Sequence, residues 1–391
     1  MSSQAASRPL VVTHIVSGDL WAGAEAQVFQ LISGLLRNGR VMPTAVVFNE
    51  GVLFDRLKAL GIPVEVADET TLSPLRQIGV MRRHFVANRT AIVHTHGFKE
   101  NILGTIAQHL ARVPKSLRTV HGNPETQASW KDPARRLIQI FDGLLARYGQ
   151  NAVVAVSRQL EQTLGEILPR KTVRISNFIE IDATPPELSP VNPAGSDYRV
   201  ALVGRMVPVK RVDIFIETLA RLRGEHKLPV SGVVFGDGPL LEEMKALAER
   251  KAPGAIEFKG FTNDLPDALK SVDALLMPSD HEGLPMSLLE ALWHGVPVVA
   301  HHVGGIPEVL ADGQCGVLVK QHEPKAYAEA MAKLLESPEK RQQFREAGRS
   351  QIKKQFGDQE NIGRYEELYQ ALSKNRTVFS LEGQPHPNGP I

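Results

Sequence analysis

Short apolar runs recur along this chain of 391 residues, and stretches with helical spacing separate most of them. The first run, residues 9 to 17 (Pro9-Leu10-Val11-Val12-Thr13-His14-Ile15-Val16-Ser17), reads as a buried strand. A loop from Gly18 to Gly23 and a helical pattern from Glu25 to Leu36 follow it. Further strand candidates stand at 44 to 48, 64 to 66, 91 to 94, 117 to 120 and 152 to 156. Between Asp182 and Asp197 the pattern collapses into Thr184-Pro185-Pro186-Glu187-Leu188-Ser189-Pro190-Val191-Asn192-Pro193, an aperiodic segment that reads as a linker. The alternation then restarts, with strands expected at 199 to 203, 230 to 235, 256 to 258, 274 to 277, 298 to 300 and 317 to 318, and with helices such as Val212 to Arg223 and Leu240 to Arg250.

Strands alternating with helices predict parallel sheets covered on both faces, so the expected fold class is α/β, two doubly wound domains facing across a cleft. The expected boundaries are 1–181 for the first domain, 182–197 for the linker and 198–360 for the second domain. Tyr365, Leu368, Tyr369 and Leu372 share one helical face, which predicts a helix over 361–374 that crosses back to the first domain. Beyond it, 375–391 carries Pro385, Pro387, Gly389 and Pro390 among polar residues and reads as a mobile tail.

Composition changes this picture little. A single cysteine, Cys315, excludes an internal disulfide and fits a reducing compartment. No apolar run is long enough to span a bilayer and the first residues lack a signal-peptide pattern, so the expected location is cytoplasmic. Charge adds more. Residues 1 to 180 carry 21 Lys and Arg against 14 Asp and Glu, leaving 24 against 29 for the rest, so a net of +2 hides a basic first half. That half suits anionic lipid headgroups or a phosphate-bearing substrate, as well as plain solvation.

Candidate chemistry concentrates in 278 to 308. An apolar strand (Ala274-Leu275-Leu276-Met277) ends there, Glu282 sits on the loop, and Pro285 suits the first position of a helix. The amides of Met286, Ser287 and Leu288 would then be unpaired donors at the positive end of the helix dipole, a seat for phosphate, with Glu290 one turn deeper on their face. Taken alone, the stretch reads equally as an ordinary strand-loop-helix unit with two solvated acids. Val203-Gly204-Arg205-Met206-Val207-Pro208-Val209-Lys210 follows the first strand of the second half and places two cations at the mouth of its sheet, which suits a diphosphate or two surface charges. No Gly-Lys-Ser or Gly-Lys-Thr follows, so this is not a Walker loop, and no Gly-x-Gly-x-x-Gly argues for a dinucleotide. Gly236-Asp237-Gly238-Pro239 and Gly260-Phe261-Thr262 read first as turns; Gly304-Gly305 opens a helix through Pro307-Glu308.

In the first half, His96 and His121 each follow a strand candidate, where an imidazole can donate to a polar substrate group. His94 and His96 alternate as metal ligands do on one strand face, but no third ligand stands nearby in sequence, so no metal is expected.

Several motifs then agree in order. Gly23-Ala24-Glu25, Thr119-Val120-His121-Gly122, Ala155-Val156-Ser157, Ile175-Ser176-Asn177, Gly204-Arg205 with Lys210, Gly236-Asp237-Gly238-Pro239, the Glu282 and Glu290 pair with seven residues between, and Gly304-Gly305-Ile306-Pro307-Glu308 stand along nearly the whole length. In these pieces the chain resembles the retaining nucleotide-sugar glycosyltransferases of family 4, built from two Rossmann-like domains in the GT-B arrangement. The resemblance implies transfer of a sugar from a nucleotide diphosphate donor, UDP favoured over GDP, to a hydroxyl of a saccharide or lipid-linked acceptor in polysaccharide or glycoconjugate synthesis. It implies His121, Glu282, Arg205 and Lys210 as catalytic. Gly23, Gly204, Phe261, Leu284, Met286, Ser287 and Glu290 would hold the donor, Glu290 through its ribose, and Glu25 and His96 would lie on the acceptor side. No cofactor, metal or nucleic acid is implied, since the Arg, the Lys and the helix end supply the positive charge. A peripheral contact with the inner face of the membrane fits the basic first half. The chain departs from the family pattern at Phe178-Ile179-Glu180, where glycine and aspartate are commoner, at Ala22, and at Trp293-His294. An epimerase or phosphorylase of the same plan, and a binding protein without turnover, are the rival readings.

Overall fold

The computed structural model describes residues 9–122, 133–181, 185–188, 190–262 and 264–376; the expected tail lies outside the described residues beyond Arg376. The chain divides into two units, one built from residues up to Asn177 together with those from Asp358 onward, the other from Phe178–Gly357.

The first unit is a parallel sheet of seven strands: β1 (Leu10–Val16), β2 (Val41–Val47), β3 (Val64–Val66), β4 (Ile92–Thr95), β5 (Lys115–Val120), β6 (Ala152–Ala155) and β7 (Thr172–Arg174), in the order β3-β2-β1-β4-β5-β6-β7. Six of these match the apolar runs. The seventh directly follows Arg170-Lys171 and has Val173 as its one apolar residue, so it does not register as an apolar run. The sheet is buried on both faces, with Val12, Ile15, Val46, Val93 and Leu117 at zero exposure, which is why its strands read as near-continuous apolar runs. The helix Asp358–Ser373 belongs to this unit and packs on the helix Gly23–Asn38, where Ile362 fills the space that a side chain at Gly34 would take. Arg37 pairs with Asp358 at 2.9 Å and Arg40 with the buried Glu366 at 3.2 Å.

The second unit is a parallel sheet of six strands: β8 (Tyr198–Val203), β9 (Val230–Phe235), β10 (Ile256–Gly260), β11 (Ala274–Met277), β12 (Val298–His301) and β13 (Val317–Val319), in the order β10-β9-β8-β11-β12-β13. Its core gathers Val200, Phe215, Leu219, Val234, Leu276, Tyr327 and Met331 at zero exposure. The described part of the proline-rich segment lies against this unit. Arg349 donates to the carbonyl of Pro186, Arg341 to that of Asn192 at 2.6 Å, and Leu188 covers Gly295.

Both sheets share one topology. The chain runs outward from β1 or β8 in one direction, then returns to build the other side from β4 or β11. Ligands in such sheets bind beyond the carboxyl ends of the two strands where the order reverses. Those strands are β1 and β4 in the first unit, β8 and β11 in the second.

Candidate active site

At the switch point of the second unit, β8 ends at Val203 and β11 at Met277. A 3-10 turn, Pro208–Lys210, follows β8, and Lys210 Nζ donates to Glu282 Oε1 at 2.6 Å. The side chains are 21% and 9% exposed, so the pair is shielded enough to hold its geometry, unlike a solvated surface pair. The two loops are stitched together: the amide of Asp280 donates to the Val209 carbonyl at 2.8 Å, and Arg211 Nη1 reaches Asp280 Oδ1 at 3.2 Å. Arg211 has a left-handed backbone at φ 50, a conformation that residues with a Cβ rarely adopt, and its guanidinium is held by both Asp213 and Asp280. His322 adds a bond to Asp280 at 2.8 Å and stacks on His301. Arg205 is half-buried directly after Gly204.

Two glycine motifs brace these loops from behind. Gly304 has φ +62, and a Cβ there would lie 1.8 Å from the carbonyl oxygen of Glu282; the next amide, Gly305, donates to Gly283 at 2.8 Å. Gly236 approaches the Gly204 carbonyl so closely that a Cβ would sit 1.9 Å from it. The turn at Gly236-Asp237-Gly238 therefore supports the Arg205 loop, beyond merely reversing the chain.

The helix after Glu282 spans Met286–Trp293. Pro285 stands at its N-cap, one residue before the expected first helical position, and its carbonyl accepts from Leu288 at 3.2 Å. The phosphate seat expected from three amides thus loses Leu288, whose amide closes the first turn. Among the described residues no partner is recorded for the amides of Met286 and Ser287. Leu284 and Met286 are buried, Ser287 and Glu290 partly so, and Phe261 is 48% exposed after β10. Protein packs closely around the Glu290 carboxyl even though the residue keeps some exposure, and desolvation pushes its pKa up to about 7. Trp293 is buried, so its ring takes up core space, and its backbone carbonyl accepts from Arg349 at 2.9 Å. A cavity of about 650 Å³ lined by Tyr198, Arg223, Lys227 and Val230 lies at the amino ends of β8 and β9, the wrong end of the sheet for this crevice.

In the first unit, Gly23 starts a helix beyond β1, and Glu25 is buried in its first turn. Desolvation pushes the Glu25 carboxyl up to about 7, and Glu100, buried beyond β4, behaves the same way. The histidines form a chain. His14 Nδ1 lies 3.1 Å from His96 Nε2, and His96 Nδ1 lies 3.2 Å from His121 Nε2. Both nitrogens of His96 thus have imidazole partners. His94 bonds Thr119 at 2.7 Å and Tyr369 at 2.8 Å. Burial lowers all four rings, His14 to about 3 and His121 to about 4, with Arg118 adding to the effect at His121 and Asn177 opposing it. The third potential metal ligand that the sequence lacked is supplied by the fold: nitrogens of His14, His94 and His96 lie within 4.8 Å of one another.

A model described as Glycosyltransferase Family 4 matches residues 21–183, and one described as Glycosyl transferases group 1 matches 186–351. The chain belongs to the family 4 glycosyltransferases. The transferase is 26% identical to a D-inositol 3-phosphate glycosyltransferase of Thermobispora bispora over 91% of this chain and 88% of that one. It is 23% identical to the UDP-Gal:alpha-D-GlcNAc-diphosphoundecaprenol alpha-1,3-galactosyltransferase of Escherichia coli over 72% and 76%. Its fold matches Anabaena HepE in complex with UDP-glucose with a TM-score of 0.78, at 19% identity, covering 93% of this chain and 100% of HepE. The transferase thus has the GT-B fold, two Rossmann-like units. Sequence reading of it had singled out Lys210 and Glu282 separately. The residues that hold them, Asp280, Arg211 and His322, carry no motif, and neither do His14 and Glu100, each buried in the first unit.

Proposed function

We propose that the chain is a retaining, metal-independent glycosyltransferase that moves a sugar from a nucleoside diphosphate, UDP in preference to GDP, to a hydroxyl of a lipid-linked saccharide. The observation that carries the reading is the Lys210–Glu282 pair, 2.6 Å apart at the switch point of the second unit and directly before a helix start. Without donor, the two charges neutralise each other. An arriving diphosphate would compete for Lys210, and Glu282 would turn to the transferred sugar and stabilise positive charge growing at its anomeric carbon. Arg205 and the amides of Met286 and Ser287 would share the phosphate charge, Glu290 would accept from the ribose hydroxyls, and Phe261 would lie beside the base. In the second unit Gly204 would let the donor approach the backbone and Leu284 would supply an apolar wall; in the first, Gly23 would give a ligand the same close approach. From the first unit, His121 would hydrogen-bond the reacting saccharide and Glu25 the acceptor. In the reaction the bond from anomeric carbon to diphosphate oxygen breaks, a bond to the acceptor oxygen forms on the same face, and the acceptor proton leaves with the diphosphate.

The donor assignment is supported by the relatives: the Escherichia coli enzyme's name specifies a UDP-galactose donor and a diphosphoundecaprenol acceptor, and HepE was solved with UDP-glucose. Peripheral membrane contact is supported by the helix Pro133–Tyr148, where Phe141, Leu144 and Tyr148 are exposed at helical spacing beside the exposed Arg147. Among the described residues no helix is long and apolar enough to cross a membrane.

The test is transfer from a panel of UDP- and GDP-sugars, with the anomeric configuration of the product read by NMR. Lys210→Ala and Glu282→Ala should each lower kcat by about a hundredfold or more with the melting temperature little changed, and excess EDTA should leave the wild-type rate as it was. An inverted product would sink the retaining reading, and full activity in Lys210→Ala would sink the site.

A further inference from the structure

Lys210 and Arg211 are adjacent cations in opposite settings. Among the described residues Lys210 Nζ has one partner, Glu282 Oε1, for which an arriving diphosphate would compete. The Arg211 guanidinium is already shared between two carboxylates: its Nε lies 3.0 Å from Asp213 Oδ1, its Nη2 2.9 Å from Asp213 Oδ2 and its Nη1 3.2 Å from Asp280 Oδ1. The fork on Asp213 is a planar, two-point pairing that a lysine cannot make.

Both ends of this arrangement stand on packed helices. Asp213 lies in the first turn of the helix Val212–Gly224, which buries Ile214, Phe215, Leu219 and Leu222. Asp280 Oδ1 also lies 2.8 Å from His322 Nε2, and His322 Nδ1 lies 2.8 Å from the hydroxyl of Tyr327, a residue of zero exposure in the helix Pro324–Leu335. The two helices pack on each other. Asp280 is thus fixed from two sides, and its amide donates to the carbonyl of Val209, the residue before Lys210, at 2.8 Å. Glu282 follows two positions later.

The backbone points the same way. Arg211 ends the turn Pro208–Lys210 with φ 50 and ψ 49, a region that glycine enters freely and a residue with a Cβ enters at a cost. Glycine would make this corner with less strain, so what the arginine supplies is its side chain. Ion pairs with side chains 30% and 38% exposed, as Arg211 and Asp280 are, add little to folding. What they add is geometry: the two loops are held in register by a contact that uses neither Lys210 nor Glu282.

We propose that Arg211 and Asp280 are positioning residues, a second clamp that keeps the Lys210 and Glu282 loops in register once the donor has separated Lys210 from Glu282. The consequence for turnover rests on the proposed contact of Lys210 with the donor diphosphate; the clamp itself does not.

Hydrogen exchange at the Asp280 amide, read by NMR on the full chain, tests the clamp with no ligand present. Lys210→Ala opens the first pair and Arg211→Gly the second; each alone should leave the exchange rate within about threefold of wild type, because the other contact still holds the loops. The double variant Lys210→Ala/Arg211→Gly should exchange about thirtyfold faster or more, a loss well beyond the product of the two. Fast exchange in Lys210→Ala alone, or slow exchange in the double variant, overturns the proposal. Turnover of UDP-glucose gives the second arm. Arg211→Gly should lower kcat by about tenfold with KM within about threefold and the melting temperature within a few degrees, since relief of the left-handed backbone offsets the lost ion pairs. An unchanged kcat in Arg211→Gly overturns the proposal. If Lys210→Ala keeps full turnover while the exchange results are as expected, the donor contact has failed and the clamp stands.

Discussion

In the second unit, desolvation pushes the Glu290 carboxyl up to about 7. A ribose that donates two hydroxyls to its carboxylate would favour the ionised form, so donor affinity should tighten as pH rises from about 6 to 8. Glu290→Gln should bind more weakly and flatten that dependence; calorimetric titration with UDP-glucose would show it, and an unchanged slope in the variant would remove Glu290 from the donor site. Gly304 makes a different demand. Its left-handed φ and the carbonyl of Glu282 leave no place for a Cβ, so Gly304→Ala should cost about 2 kcal/mol or more of stability and displace the Glu282 loop. A melting curve and a transfer assay check it, and a variant with wild-type values in both would contradict this packing. Lys210, Glu282 and Glu290 were legible in the sequence because loop and helix-start positions after apolar runs are where a sheet of this class presents charge. Asp280, His322 and His14 were not, since what makes each matter is a partner supplied by a loop or strand distant along the chain.

At the scale of elements, the apolar runs located twelve of the thirteen strands among the described residues, since strands buried on both faces cannot hide their composition. The edge strand Thr172–Arg174 escaped because Val173 is its one apolar residue, whereas the equally short Val64–Val66 and Val317–Val319 carry two or more. The helix Met286–Trp293 was placed within a residue, but its first turn closes on Pro285, and that cap geometry decides which amides remain for a ligand. The exposed stripe of the helix Pro133–Tyr148 carries its own prediction. Replacing Phe141, Leu144 and Tyr148 by Ser should weaken co-sedimentation with vesicles rich in anionic lipid by about tenfold or more while leaving the melting temperature within a few degrees, because side chains already in water contribute little to folding. Undiminished sedimentation would dismiss this helix as the contact.

For the whole molecule, the distribution of buried ionisable groups sets an unequal response to acid. His14, His94, His96 and His121 are all depressed by burial in the first unit; their unfolded counterparts bind protons below about 6.5 that the folded rings refuse, so stability is lost as pH falls through that value. Glu25 and Glu100, raised to about 7, act oppositely: their contribution is complete below the ordinary carboxylate value and is lost as pH rises through 7. With His84 also lowered by burial, the depressed rings outnumber the raised carboxyls, so the unfolded first unit binds more protons than the folded one between about pH 6 and 5 and its stability falls there. In the second unit Glu290 acts with the carboxyls and opposes acid loss. Lowering the pH from 7 to 5 should therefore open the first unit before the second, and amide exchange read by mass spectrometry would locate the loss. Uniform loss across both units would contradict the neutral histidine row.

The sequence by itself determined the class of fold, the repetition of that fold in two halves, and the family, because burial on both faces of a parallel sheet and glycine at close backbone approaches constrain residue type position by position. The tertiary structure alone decided which side chains meet. Lys210 and Glu282 stand 72 positions apart, and His14 and His96 stand 82 apart. No local period connects such positions; the reversal of strand order that brings β1 beside β4, and β8 beside β11, does.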